Sequence, residues 1–362
     1  MPERDMIGTK PMEMRPMNKL MQMSIELVER GQVPDRLIRL GVRRILAGQL
    51  RRYLHNGDVT AQQEDLRALI AELSSSPIAI HTDDANAQHY EVPTAFFLEV
   101  LGKRLKYSSC YWPAGVRTLD EAEDAMLRLT CERAQLTDGM DILELGCGWG
   151  SLSLWMAEHY PNSRILAVSN SRTQREFILS QAEERGFTNL EVQTADMNDF
   201  TTDRRFDRVV SVEMFEHMRN YGRLMERIAG WLKPDGKLFV HIFAHSQIAY
   251  ALSAGDNWMA KYFFAGGTMP SDDLLLYFQR DLVIADHWRI NGMHYARTLE
   301  TWLATFDSKL DKIKRILVEA YGQKDLERWI VRWRLFFIAC AELMAYNRGN
   351  DYAISHYLFE RR

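Results

Sequence analysis

Cysteine is scarce in this sequence, and its four cysteines are widely separated. Cys110, Cys131, Cys147 and Cys340 include no pair with the spacing of a zinc site, and they lack the dense pattern of a disulfide framework. The chain has no apolar run long enough to cross a bilayer, and its N-terminus lacks the apolar core of a signal peptide. These absences predict a cytoplasmic protein with free thiols and no metal site.

A strong charge of either sign is also missing. The formal net charge is -4 over 362 residues, which gives no reason to expect a nucleic-acid partner. With 46% hydrophobic and 26% charged residues, the composition is that of an ordinary globular protein. The length allows a large buried core in one domain or two.

Residues 1–85 have the pattern of an N-terminal helical extension. Their longest helix is predicted from Pro34 to Leu54, with leucines and isoleucines on one side and arginines on the other. Such a helix can lie on an anionic membrane, or it can pack on its own protein with the arginines in solvent. The lack of Trp and Phe anchors favours packing, so we expect at most peripheral membrane contact. Serine, aspartate and asparagine then indicate a linker over residues 72–88.

From residue 86 onward, short apolar strands alternate with helices, which predicts βαβ units and a parallel sheet. Near the C-terminus, "DLVIADHWRI" and "AISHYLFERR" have the pattern of two more strands, separated by long helices between Thr298 and Met344. The predicted fold class is α/β. We expect a doubly wound, Rossmann-like sheet of the class I S-adenosylmethionine methyltransferase type, with a helical insertion before the last strand.

The first predicted strand leads into "ELGCGWG", which contains Gly146, Gly148 and Gly150. Glycines at alternating positions let the backbone turn tightly and approach a ligand closely. The spacing is neither that of a dinucleotide site nor that of a phosphate loop. It suits a ligand without a pyrophosphate, namely S-adenosylmethionine, although a turn that binds nothing would explain the motif alone.

The ends of the next two predicted strands also carry polar groups. Asn170 and Gln174 follow the second strand and can hydrogen-bond ribose hydroxyls, while Asp196 follows the third and can accept from an adenine amino group. Met197 can lie against the adenine ring. Ligands of such sheets bind outside the carboxyl ends of the strands, so these residues predict a cofactor pocket there.

From Gln88 to the C-terminus, the sequence resembles the cyclopropane-fatty-acyl-phospholipid synthase superfamily. The matching motifs include "QHYEVPTAFF", "LKYSSCYW", "LELGCGWGSLSLWMA", "FDRVVSVEMFEHM" and "DHWRINGMHYARTL". The segments "EHMRNY" and "LFERR" are most similar to the coclaurine N-methyltransferase-like branch. The resemblance implies a methyltransferase domain over residues 86–362, with insertions at about 246–280 and 291–349 that line an acceptor pocket. It also implies that Tyr107 and Ser108 help to hold the carboxylate end of S-adenosylmethionine.

The two branches of this superfamily carry out different reactions. The cyclopropane synthases act on a lipid double bond with bicarbonate as base, and Glu216, His241 and Tyr295 match three of the bicarbonate ligands. The fourth ligand is a cysteine, and Ser109 stands in its place. The amine N-methyltransferases instead have an extra glutamate, which Glu213 supplies. The resemblance therefore implies N-methylation of a small amine that carries an aromatic group. Lipid methylation with bicarbonate is the alternative, and a cofactor-binding protein without turnover is a third hypothesis.

The strand end "VEMFEHM" supplies groups that suit amine chemistry. An alkylamine is mostly protonated at pH 7, and its proton must leave before the nitrogen can attack a methyl group. Glu213 or Glu216 can bind the ammonium, and His217 can take the proton because an ordinary histidine has a pKa of about 6.5. The alternative is an acidic first helical turn, favoured by the helix dipole. That alternative explains one glutamate but not three ionisable groups.

Further candidates for the acceptor pocket are histidines and aromatic residues. His245 and His294 can equally be structural, and aromatic clusters are more often part of a core than of a ligand site. The candidates are His241, His245, His294, Tyr295, Trp258 and Phe264. We expect a small-molecule amine as the partner, and a homodimer is compatible with the sequence.

Overall fold

A seven-stranded sheet with strand order β3-β2-β1-β4-β5-β9-β8 forms the centre of the structure, a computed structural model that describes residues 19–80, 92–252, 258–264 and 266–362. Strands β1 to β5 are parallel, and β9 is antiparallel to both β5 and β8. The strands are β1 (Asp141–Leu145), β2 (Arg164–Ser169), β3 (Leu190–Thr194), β4 (Phe206–Val212), β5 (Leu232–His245), β8 (Leu282–Asn291) and β9 (Tyr352–Arg361), with β6 (Tyr250–Ala251) and β7 (Thr268–Met269) in a separate small sheet.

Helices cover both faces of this sheet and its carboxyl edge. They are α1 (Lys19–Glu29), α2 (Asp35–Tyr53), α3 (Val59–Ser75), α4 (Thr94–Val100), α5 (Leu119–Arg133), α6 (Ser151–His159), α7 (Arg172–Glu184), α8 (Tyr221–Trp231), α9 (Trp258–Tyr262), α10 (Met293–Ser308), α11 (Leu310–Tyr321) and α12 (Leu326–Met344). Short 3-10 helices lie at His55–Gly57, Phe215–His217, Leu274–Phe278 and Tyr346–Gly349. The three helices before the last strand form the predicted helical insertion.

Alternation along the strands places side chains in two separate cores. Leu143 of β1 packs with α3 and α8 on one face of the sheet, whereas its neighbour Ile142 packs with α5, α6 and α7 on the other. Because both faces are covered, all five residues of β1 are buried. A third core, rich in aromatic residues, joins α4, α10, α11 and α12. The predicted α/β fold class and its late pair of strands are confirmed.

Two local boundaries differ from the sequence prediction. The pattern of "YGRLMERIAGWLKPDG" predicts a helix through its last glycine, but α8 ends at Trp231 and Leu232 begins β5, because Pro234 cannot continue a helix. Part of the predicted linker is packed rather than free: Ile78 and Ala79 are buried, and the carbonyl of Ile78 accepts a hydrogen bond from the Arg219 amide. Residues 81–88 of that linker lie outside the described residues.

Helix α2 packs on the body of the protein, and two of its arginines, Arg39 and Arg43, are paired with acids there, whereas its other arginines are exposed as expected. The Arg39 guanidinium donates to Glu300 and Glu342, each over 2.9 Å, and Arg43 also donates to Glu342. Burial acts to raise the pKa of the Glu342 carboxyl, but the bonds from Arg43 and Arg39 hold it below its usual value. None of the helices that the structure describes has the length and apolar character needed to cross a membrane.

Candidate active site

A cavity of about 1280 Å³ lies at the carboxyl ends of β1, β2 and β4. The glycine-rich turn after β1 and the strand ends form its floor, and α2, α10 and α12 contribute its walls. The volume exceeds the range of about 300–1,000 Å³ that is usual for a single ligand pocket. The cavity therefore has room for a cofactor together with an acceptor.

The glycine-rich turn leaves space for a ligand at one of its three positions. Gly148 has φ +51°, and a Cβ added there would meet no atom within 4 Å, so it would enter open space next to the cavity. Gly146 also lines the cavity, with φ +81°. Gly150 does not line it: a Cβ there would lie 2.6 Å from Cγ1 of Ile178. Gly150 therefore serves the packing of α7, contrary to the expected contact with the cofactor.

The other predicted cofactor residues line the same cavity. Asn170, Gln174, Asp196 and Met197 come together there from the ends of β2 and β3. The Gln174 carbonyl accepts a bond of 2.7 Å from Ser169, which holds the side chain and leaves its amide hydrogens for a ligand. An Asp196 oxygen accepts from the Asn198 amide over 2.7 Å, which fixes the direction of that carboxylate.

Buried polar atoms without partners indicate that the cavity receives a polar molecule. Among the described residues, the hydroxyls of Tyr107 and Ser151 are buried and have no hydrogen-bond partner, and both residues line the cavity. Buried polar groups are normally hydrogen-bonded, so a ligand is the expected partner. Ser108 is beside them and accepts from the buried Lys106 ammonium, whose pKa is lowered by burial. This arrangement fits the polar end of S-adenosylmethionine.

Glu213, at the end of β4, is held by two hydrogen-bond donors and lies beside a histidine ring. Its side chain is 8% exposed, and its backbone has φ +46°, a strained conformation for a residue other than glycine. Oε1 accepts from the Ser109 amide over 2.8 Å and lies 3.2 Å from Nε2 of His241, and Oε2 accepts from the Tyr295 hydroxyl over 2.8 Å. Burial raises the pKa of Glu213, while Lys106, Ser109 and Tyr295 act to lower it. Burial is the larger effect, so the pKa of Glu213 is raised overall, and the two donors together with Lys106 limit that rise.

Glu216 has a different environment in the same cavity. It is 1% exposed, and its Oε2 has no hydrogen-bond partner among the described residues. Burial and, secondly, the charge of Glu213 raise its pKa well above the ordinary value. His217 also lines the cavity, with its ring 4.5 Å from that of Phe264. The strand end thus presents two different carboxylates. Glu213 has several hydrogen-bond partners, whereas Glu216 has an oxygen that is available to a ligand.

The predicted acceptor residues divide into two groups. Tyr295, Trp258 and Phe264 line the cavity, as expected. The three histidines do not: His241 lies behind Glu213, His245 accepts at Nδ1 from the amides of Gln247 and Ile248, and His294 accepts at Nδ1 from the amide of Trp112. His245 and His294 are therefore engaged in holding loops, which was the structural alternative for both.

Sequence reasoning missed the contribution of α2 to this cavity. One side of the helix faces the cavity through Ile38, Gly41, Val42, Ile45 and Gln49. The signal was present in the apolar face of the helix, but the sequence did not reveal what that face would cover. The acidic partner of its arginines on α12, Glu342, is far away in the sequence, at separations of 303 residues from Arg39 and 299 residues from Arg43.

Comparison with known proteins shows the family of this chain. The family model named mycolic acid cyclopropane synthetase matches residues 79–351. The chain belongs to this family. (S)-Coclaurine N-methyltransferase from Thalictrum flavum subsp. glaucum is 39% identical over 347 residues, which cover 93% of this chain and 95% of that protein. Cyclopropane-fatty-acyl-phospholipid synthase from Escherichia coli strain K12 is 30% identical over 67% of this chain and 66% of that protein.

A solved structure agrees with the fold and with the cofactor. Coclaurine N-methyltransferase bound to N-methylheliamine and SAH superposes with a TM-score of 0.90 and 36% identity, covering 94% of this chain and 100% of that chain. The predicted family resemblance is confirmed, and this member of the family is an S-adenosylmethionine-dependent methyltransferase. Within the described ranges, no three His, Cys, Asp or Glu side chains are grouped in a way that could hold a metal ion.

Proposed function

We propose that this chain transfers a methyl group to the nitrogen of a small amine that carries an aromatic group. The observation that supports this most directly is the position of the Glu213 carboxylate. It accepts hydrogen bonds from Ser109 and Tyr295 and lies against His241. The family resemblance implies that the residues at these three neighbouring positions bind bicarbonate in the lipid enzymes. A carboxylate of the protein thus uses the donors that a bicarbonate ion would need.

The cofactor side of the cavity would be formed by residues from several strand ends. Gly146 and Gly148 provide close backbone approach, and the polar side chains that line the cavity there are Tyr107, Ser108, Asn170, Gln174 and Asp196, with Met197 as an apolar neighbour. S-Adenosylmethionine, when bound, supplies an electrophilic methyl group. The chain's own task is to present a neutral amine to it and to exclude water.

The two glutamates have different roles: one attracts the ammonium group, and the other accepts its proton. Glu213, in the ionised form that Lys106, Ser109 and Tyr295 favour against the effect of burial, attracts the ammonium form of the acceptor. Glu216 presents an oxygen that has no partner among the described residues, and its raised pKa makes it a stronger base than a surface glutamate. The N–H bond of the ammonium breaks as an O–H bond forms on Glu216, with His217 as the second acceptor. The nitrogen then has a free lone pair, and alignment in the cavity supplies much of the rate.

The rest of the cavity suits an aromatic acceptor. Trp258, Phe264 and Tyr295 offer aromatic surfaces, and Ile38 and Val42 of α2 add apolar contact. Aromatic faces also attract a cation near the ring. We therefore propose that residues 1–85 complete the acceptor pocket of the methyltransferase domain over residues 86–362. The related coclaurine N-methyltransferase structure holds N-methylheliamine, an amine of this general kind.

A lipid acceptor is the second candidate, and one feature of α2 favours it. Leu37 and Leu40 are 58% and 45% exposed on a helix that is rich in arginine. A helix of this composition can contact an anionic membrane surface. Contact with a membrane, a homodimer and a cytoplasmic location stay predictions; the four free cysteines support a reducing compartment.

The decisive assay offers both acceptors to the purified chain with radiolabelled S-adenosylmethionine. One set of reactions contains coclaurine and simpler aromatic amines, and the other contains vesicles of unsaturated phospholipid, each with and without added bicarbonate. We expect label in the amine, at a rate that bicarbonate does not change. Label in the lipid that depends on bicarbonate, with none in any amine, would overturn the proposal in favour of the lipid reaction.

A further inference from the structure

Behind Glu213, a line of hydrogen bonds runs through the sheet to an arginine. Nε2 of His241 lies 3.2 Å from Oε1 of Glu213, and Nδ1 of His241 lies 2.9 Å from Nε2 of His356. Nδ1 of His356 in turn lies 3.0 Å from Nη1 of Arg133. Both histidines are completely buried. We name this arrangement the histidine relay, with Arg133, His356, His241 and Glu213 as its members.

The arginine at one end determines where every proton of the relay lies. A guanidinium only donates, so Nδ1 of His356 must be an acceptor. A neutral imidazole has one donor and one acceptor nitrogen, so His356 carries its proton on Nε2 and donates it to Nδ1 of His241. His241 therefore carries its proton on Nε2, where it donates to Glu213. Burial is the largest cause that lowers the pKa of both histidines, which agrees with their neutral form.

The sheet register explains why these residues meet. His241 of β5 and His356 of β9 are directly opposite each other on neighbouring antiparallel strands, so their rings lie on the same face. Arg133 ends α5, which packs on that face, and its guanidinium lies 5.0 Å from the ring centre of Trp288. Trp288 is the residue of β8 opposite His356. The relay is therefore held from the helix side and from two strands.

We propose that Arg133 and His356 are positioning residues of the methyltransferase site, which hold His241 in the tautomer whose Nε2–H points at Glu213. The relay ends on a group that cannot accept a proton, so it cannot carry the amine proton out of the site. Its effect is instead to supply Glu213 with a permanent donor. This inference rests on the proposed role of Glu213 for its effect on turnover, but the tautomers themselves are independent of any acceptor.

Other ionisable groups also face Glu213 and contribute to its charge state. Lys106 opposes the effect of burial on Glu213, and Glu213 in turn raises the pKa of Glu216, Tyr295, Tyr107, Cys110 and Cys340. All of these groups remain in place when Arg133 is replaced. A change that follows the loss of Arg133 alone can therefore be assigned to the relay.

The first measurement is made on the full chain without any acceptor. Long-range nitrogen–proton NMR spectra of protein labelled with ¹⁵N-histidine distinguish protonated from unprotonated ring nitrogens, and His356→Gln and His241→Gln variants assign the two rings. We expect both rings to carry their proton on Nε2 and to stay neutral from about pH 6 to 9, since burial disfavours the charged form. Protons on Nδ1, or a charged ring in this range, would overturn the relay.

The second measurement follows turnover in Arg133→Met, which removes the donor but keeps a long side chain. Without the fixed donor, Nε2 of His241 can become an acceptor that faces a carboxylate, so the pKa of Glu213 rises. We expect kcat to fall roughly 10- to 100-fold, the usual effect of one hydrogen bond to a charged group. The acidic limb of the kcat/KM profile should move to higher pH, while affinity for S-adenosylmethionine stays unchanged.

Two further variants separate positioning from simple loss of structure. Arg128→Met removes an exposed arginine from the same helix and should leave the rate and the pH profile unchanged. Arg133→Lys keeps a cationic donor and should recover part of the rate. An Arg133→Met protein with the wild-type pH profile would overturn the proposal, even if it were slower. A wild-type protein without amine activity but with the expected tautomers would instead reject the proposed function and leave the relay intact.

Discussion

The two sides that we propose for the cavity, one for the cofactor and one for the acceptor, are built in different ways. The cofactor side comes from short, local segments: a glycine-rich turn after β1 and the polar residues that follow β2 and β3. The acceptor side is assembled from segments far apart in the chain, namely α2, the end of β4, α10 and α12. Changes on the first side should therefore affect cofactor binding, and changes on the second should affect turnover or the acceptor.

The largest effect is expected at Gly148, on the cofactor side. Gly148→Val places a branched side chain in space that is open toward the cavity, and we expect loss of measurable S-adenosylmethionine binding in calorimetry. Gly139→Val is the matched control, because Gly139 also has a positive φ of +89° and open space but does not line the cavity. Normal affinity in a folded Gly148→Val protein would show that the ligand lies elsewhere.

The next effect is expected at Glu216, on the acceptor side. Glu216→Gln removes the base, so kcat should fall roughly 10²- to 10⁴-fold with little change in cofactor affinity. Because burial and Glu213 raise the pKa of Glu216, wild-type kcat/KM should decrease as the pH falls through that raised value. Stopped-flow or initial-rate assays across pH test both points. A variant that loses cofactor affinity in step with kcat would place Glu216 on the cofactor side instead.

A smaller effect is expected where α2 is attached. The double change of Arg39 and Arg43 to Gln leaves the Glu342 carboxyl buried without its ion pairs, and the free energy of unfolding should fall by about 1–3 kcal/mol. The KM for the amine should rise while cofactor affinity is kept, because we place α2 on the acceptor side of the cavity. Changing the exposed Arg36 and Arg51 to Gln is the control. An unchanged KM in a folded Arg39 and Arg43 variant would argue against α2 as a pocket wall.

The smallest functional effect is expected at Gly150. Gly150→Ala would bring a Cβ within 2.6 Å of Ile178 and would strain a backbone with φ +79°, at a cost of about 1–3 kcal/mol in stability. Thermal unfolding should show this loss, while calorimetry of the folded protein should give nearly normal affinity for S-adenosylmethionine. A large loss of affinity for S-adenosylmethionine without loss of stability would indicate that Gly150 contacts the cofactor.

The same contrast explains what the sequence could predict. The glycine-rich turn, Asn170 and Asp196 were found because each follows its own strand within a few residues. Glu213 and Glu216 were predicted from a motif, but their different environments depend on Ser109, His241 and Tyr295, which only the folded chain brings against Glu213.

Pairings over long sequence separations were not predictable from local patterns. His356 lies 115 residues from His241, and nothing near either residue shows that β9 inserts between β5 and β8 in the register that joins them. The pairing of Arg39 and Arg43 was missed for the same reason, since their acidic partners are on α10 and α12. Both the histidine pairing and the ion pairs of α2 depend on tertiary contacts, which the local sequence pattern does not show.

The central claim is that Glu213 replaces bicarbonate and makes this chain an amine methyltransferase. The most direct test compares amine methylation by the wild type and by Glu213→Gly, the residue usual in the lipid enzymes, with and without added bicarbonate. We predict that the variant loses roughly 10²- to 10⁴-fold in kcat, and that the wild-type rate does not depend on bicarbonate. Full activity of Glu213→Gly, together with a wild-type rate that requires bicarbonate, would contradict the claim.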